Sequence, residues 1–132
     1  MAMTLDARKI VDSPIIAGDA TFLGKIVEST EAHGSINAGT ETFDVNTPWH
    51  TVTVAGIFAI VFDNWPASGD LSSIGIEITN GGAFAFTWPA SVDWSPAGAE
   101  PSWTAAGVDS VILYSDDGGT IIHGSRADED TK

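Results

Sequence analysis

The chain has 132 residues, 43% of them apolar, with 14 glycines, 6 prolines and no cysteine. This suits one packed domain and excludes a disulfide framework, a thiolate nucleophile and any thiolate zinc site. Eighteen acidic residues against five basic ones give a formal charge of −13, a field that repels phosphate backbones and anionic headgroups, so neither nucleic acid nor a membrane surface is an expected partner.

At the N-terminus, Met1 to Ile10 lacks the apolar stretch and small-residue cleavage site of a secretory leader. Leu5 to Val11 suits one helical turn or an extended segment, and Pro14 stops a helix from running through it. Residues 1–33 are read as an extended attachment arm with Leu5, Ile10, Val11, Ile15 and Ile16 as its apolar contacts, although an N-terminal strand packed on its own domain fits the same residues. Ala20 to Val27 has strand character, and Ser29 to Thr40, small and polar, reads as a linker or exposed loop.

From about Thr42 onward the period is two. Trp49 to Val54 alternates, and Ala55-Gly56 offers a short turn into Ile57 to Phe62, which is apolar on both faces. Such a strand lies between two layers or against another subunit, which makes Ile57, Ala59 and Val61 the expected subunit-interface residues. The run from Val52 to Phe62 is interrupted by Thr53 and Gly56 and is far shorter than the ~20 residues of a spanning helix, so membrane insertion is not expected. Asp63 to Asp70 is a polar loop rich in turn formers.

Three isoleucines alternate in Ser73 to Thr79, and aromatics alternate in Ala83 to Trp88. The Asn80-Gly81-Gly82 between them supplies positive φ for a tight hairpin, so the two runs are expected as antiparallel neighbours. Pro89 to Gly107 is the longest candidate loop. Val108 to Tyr114 and Thr120 to Gly124 then flank Asp116-Asp117-Gly118-Gly119 as a second hairpin, and residues 127–132 read as a flexible acidic tail. The expected fold is all-β: an antiparallel β-sandwich of jelly-roll type over residues 34–126.

Little in the chain points to chemistry. Every tryptophan lies within two residues of a proline, a pattern that marks strand ends with aromatic anchors. His33, His50 and His123 show no paired ligand spacing, so a metal site would have to be assembled by the fold from distant parts. The acids of Asp116-Asp117-Gly118-Gly119 are wrongly spaced for a calcium loop. Asp93 and Glu100 flank Trp94 and Trp103, the furniture of a sugar-cleaving site, but loop acids are usually solvated. Trp94 and Trp103 suit either a sugar-stacking surface or buried loop anchors. No Gly-x-Ser-x-Gly elbow and no phosphate cradle is present. The reading is of a protein that is not an enzyme, with no catalytic residue, no metal and no cofactor.

The order of elements from Gly34 to Arg126 resembles a β domain of tailed-bacteriophage virion proteins, especially tail fibres and related tail-tip or head appendages. The resemblance rests on Gly34-Ser35-Ile36, Thr42-Phe43-Asp44-Val45, Thr51-Val52-Thr53-Val54, Gly56 and Phe58 to Pro66. It continues through Thr87-Trp88-Pro89, Trp94, the run Pro101 to Asp109, and Asp117-Gly118-Gly119-Thr120. Ser95-Pro96-Ala97-Gly98 stands where the family has Trp-x-Gly-Gly, and Ile121 where it has an aromatic. The resemblance implies a non-enzymatic module of the virion, assembled in the host cytoplasm as a homotrimer with other tail or capsid proteins. A short tail fibre or tail-tip component contributing to host attachment is the leading expectation. Trp65, Asp70, Trp94, Glu100 and Trp103 would then be contacts to a host surface glycan or protein. A capsid decoration or head-fibre protein is the first alternative, and a stand-alone carbohydrate-binding module the second.

Overall fold

Strands run from Thr30 onward, with apolar alternation clearest from Trp49, and no helix occurs among the described residues. The computed structural model describes residues 3–5, 20–22, 27–96 and 98–131. The strands are β1 (Met3–Leu5), β2 (Ala20–Phe22), β3 (Thr30–Ile36), β4 (Thr40–Asp44), β5 (Trp49–Val54), β6 (Phe58–Asp63), β7 (Ser72–Thr79), β8 (Phe86–Thr87), β9 (Val92–Trp94), β10 (Val108–Ser115) and β11 (Ile122–Asp128). They form a six-stranded sheet in the order β3-β5-β7-β10-β11-β9, a three-stranded sheet in the order β4-β6-β8, and the separate pair β1-β2.

The chain alternates between the two larger sheets. β3, β5 and β7 run parallel in one, while β4, β6 and β8 run parallel in the other. Three successive windings, β3-β4, β5-β6 and β7-β8, thus each give one strand to each sheet. Only β10 introduces antiparallel pairing, with β7 on one side and β11 on the other, and β9 closes the far edge parallel to β11. The expected antiparallel jelly roll is corrected: six of the eight pairings among the described residues are parallel. The short connections that resemble hairpin turns carry the chain across to the opposite sheet, so strands that neighbour each other within a sheet point the same way.

Asn80-Gly81-Gly82 illustrates the difference. Only Asn80 has positive φ, at 58°. Gly82 N–H donates to the Thr104 carbonyl at 3.0 Å, and a Cβ at Gly81 would lie 2.9 Å from that of Trp103. These glycines let residues 103–105 run against the crossing, and they do not close a hairpin. The second expected hairpin is present as β10-β11, with Gly118 and Gly119 at φ of 75° and 81°.

Both sheets feed one core. Val52, Val54, Ile74, Ile76, Ile78, Val111, Leu113 and Ile122 from the larger sheet meet Phe43, Phe58, Ile60 and Phe86 from the smaller. Burying each large aliphatic side chain of this kind is worth about 1.5–3 kcal/mol, which is why the isoleucine alternation in β7 fixes its register. On β6, Phe58 and Ile60 point into this core, whereas Val61 is 37% exposed and Ala59 half-buried on the opposite side, and Ile57, just before the strand, is 69% exposed.

The segment read as a linker, Ser29 to Thr40, contains β3, an edge strand held by parallel pairing to β5. The boundary at 127 falls inside β11, and Asp130 and Thr131 are further hydrogen-bonded to Asp109 and Val108. Leu5 lies in β1, whose backbone pairs with β2, while Ile10, Val11, Ile15 and Ile16 lie outside the described residues.

Candidate functional site

Four of the five tryptophans form one aromatic assembly. Trp88 packs edge-on to Trp94 with centroids 5.0 Å apart and lies 5.9 Å from Trp103, while Phe62 links Trp88 to Trp65. Glycines make room for the rings: a Cβ at Gly124 would lie 2.9 Å from the Trp94 ring, and one at Gly119 would lie 2.5 Å from that of Trp65. Trp49 stands apart on the outer face of β5, its ring over Gly75, directly across in β7. The indole N–H groups of Trp65 and Trp88 are buried without an acceptor among the described residues.

The nominated host-contact residues fall in two places. Trp65 and exposed Asp70 flank the β10-β11 turn, to which the loop is tied by Gly69 N–H on the Asp116 carbonyl at 2.8 Å. Trp94, only 5% exposed, is part of the core, and Trp103 donates its indole N–H to Glu100 at 2.8 Å while packing on Trp94 and Phe86. Neither indole is displayed as an open platform.

Beneath Trp103, the fully buried carboxylate of Asp109 accepts from Thr104 N–H (2.6 Å), the Thr104 hydroxyl (2.9 Å) and Asp130 N–H (3.1 Å). The Thr-Ala-x-Gly-Val-Asp segment is therefore a latch that fastens the long loop and the C-terminal residues to β10. A buried carboxylate is tolerable here because its oxygens are satisfied.

An open groove of about 700 Å³ runs over the β9 edge of the large sheet, lined by Asp93, Ser95, Tyr114, His123 and Ser125 with Trp94 beneath. Asp93 and His123 are register partners, as are His123 and Tyr114, and the last two rings stack at 4.8 Å.

A second cluster lies between the sheets at the β3 edge. Ala32 pairs with Thr51 and Ser35 with Thr53, so His33 and Gly34 together oppose Val52 alone. This β-bulge, with Gly34 at φ 69°, lets both His33 and Ile36 face the core side. Glu31 sits directly opposite His50, and β4 brings Glu41 and Phe43 down from the other sheet. His33 Nδ1 lies 2.6 Å from Glu41 Oε1, and His33 Nε2 lies 3.0 Å from His50 Nδ1. His50 Nε2 donates to the Asp44 carbonyl at 3.1 Å, and Glu31 Oε2 lies 3.6 Å from His50 Nδ1. The Phe43 ring packs 4.1 Å from that of His33 and 5.1 Å from that of His50. Burial pushes the His50 imidazole below its ordinary value, the Asp44 carbonyl opposing this in part.

The sequence alone points to no site here, because His33 and His50 are 17 residues apart and the small, polar residues of β3 suit a loop. The available signal was Glu31-Ala32-His33, whose two-residue spacing puts both groups on one face if the segment is a strand.

No family model, curated protein or solved structure matches the chain.

Proposed function

We propose that the protein is a non-enzymatic structural component of a tailed-phage virion: a β-sandwich module that trimerises and serves as a short tail fibre or tail-tip element in host attachment. The observation that carries this reading is the outer face of the three-stranded sheet. Thr40, Ala59 and Thr87 form one row across it and Thr42 and Val61 the next, with Ile57 protruding beside them. These two rows are uncharged on a chain of charge −13, while the next row of the same face pairs Asp44 with Asp63, so copies can meet over Thr40 to Val61 if that acidic end stays outside the contact. The phage-like motif residues support the same reading, since Asp109, Thr104 and the tryptophans serve as latch and packing groups. Host contact belongs at the Asp93, Tyr114 and His123 groove, which offers an exposed aromatic ring beside polar groups, the furniture suited to a surface glycan.

Sedimentation and light scattering of the purified chain should give three times the 13.7 kDa protomer mass. Val61→Glu should give monomers that remain folded. A monomeric wild type would remove the trimer, and electron microscopy of particles that placed the protein on the head would make it a capsid decoration protein.

A further inference from the structure

The histidine pair at the β3 bulge carries, with Glu31, three donor atoms close together, whatever the protein assembles with. The outer nitrogen of each ring is committed to an acceptor: His50 Nε2 to the Asp44 carbonyl, and His33 Nδ1 to the Glu41 carboxylate. Each outer nitrogen therefore carries the hydrogen, and the inner nitrogens, His33 Nε2 and His50 Nδ1, face each other with lone pairs at 3.0 Å. Two lone pairs at that distance call for a positive centre near them. Glu31 supplies a third donor, and one ligand atom from each of Glu31, His33 and His50 lies within 4.8 Å of the others.

Two of the three ligand–ligand edges fit a tetrahedral ion, and the third, between Glu31 and His33, lies within 4.8 Å and is closed by rotation of the exposed Glu31 side chain. Ligands held at roughly 2.0–2.1 Å stand about 3.3–3.4 Å apart along each edge, and the two measured edges from His50 Nδ1, 3.0 and 3.6 Å, bracket that value. A metal-bound imidazole characteristically gives its other N–H to a carboxylate or a backbone carbonyl, which fixes tautomer and ring orientation. Both kinds of partner are present.

We propose that Glu31, His33 and His50 bind a divalent transition-metal ion of the zinc type, with Glu41 and the Asp44 carbonyl orienting the two imidazoles. The fourth position faces the Glu31 side, where the cluster meets solvent, and suits a water molecule. The ion joins the edge strand β3 to β5 and has a structural role, replacing hydrogen bonding that a bulged edge cannot supply.

The test uses the full chain, stripped with EDTA and dialysed, with zinc chloride as the probe in calorimetric titration and thermal melting. One zinc per chain and a higher melting temperature are expected, and cobalt(II) in its place should give the intense visible absorption of a tetrahedral site. Glu31→Gln, at an exposed ligand, should keep the metal-free melting temperature and weaken zinc binding by about tenfold or more, and Glu41→Gln should weaken it roughly 10–100-fold. His33→Ala should abolish it. The proposal is overturned if the wild type takes up no zinc, leaving a shared proton as the positive centre, or if uptake is the same in Glu31→Gln.

Discussion

Tryptophan and glycine are paired in space in this protein, whereas the sequence pairs tryptophan with proline. Trp49 covers Gly75, Trp65 meets Gly119, Trp94 meets Gly124 and Trp103 meets Gly81. The proline neighbours mark where strands end, while the glycines decide where each indole can lie flat on a neighbouring backbone. Gly75 gives the sharpest test, since a Cβ there would lie 2.0 Å from a carbon of the Trp49 ring. Gly75→Ala should therefore displace Trp49 and lower stability by about 1–3 kcal/mol, read as a reduced urea midpoint with a shifted tryptophan fluorescence maximum. An unchanged midpoint would mean that the ring moves aside freely.

At the scale of elements, the β10-β11 hairpin is held by its own turn chemistry. Asp117 accepts from Ile121 N–H and from the Ser115 hydroxyl, while Ser115 Oγ accepts from Gly119 N–H. The Ile121 N–H first, and the Ser115 hydroxyl second, hold the Asp117 carboxyl below its ordinary 3.8. A folded value below the unfolded one means that this stabilisation is complete above pH 3.8 and is lost as the pH falls through the lowered value. Asp117→Asn should accordingly show less loss of stability with acidification below that pH, measured as urea midpoint against pH; a profile identical to wild type would assign the acid sensitivity to other groups. This hairpin was legible because its glycines have the positive φ that the turn demands. Asn80-Gly81-Gly82 was misread because a crossing between sheets and a turn within one use the same residues, and only the partner, here residues 103–105, tells them apart. The strand periods themselves were legible: Ile74, Ile76 and Ile78 face the core as their spacing requires. The histidine cluster was not, since it depends on parallel register between β3 and β5, which no local pattern announces.

For the molecule as a whole, the three windings set what is stable and what is exposed. One end of the wound stack is closed on the large sheet by β10, while at the other end β3 and β4 are the outermost strands of their two sheets. Among the described residues no strand pairs with the far side of either, and such an end is a template: parallel strands can be added one winding at a time, which is the geometry by which a folded domain seeds a fibril. The bulge at His33-Gly34 interrupts that template, and Glu31 and Glu41 place negative charge beside it. Deleting Gly34 would restore an unbroken ladder from Thr30 to Ile36, and the variant should form thioflavin-binding filaments at concentrations where the wild type stays dispersed. If it stays dispersed too, the acidic side chains alone are sufficient protection. The irregularity that brings Ile36 to the core side after His33 is thus also a stop signal, setting a limit on how far this fold can propagate itself.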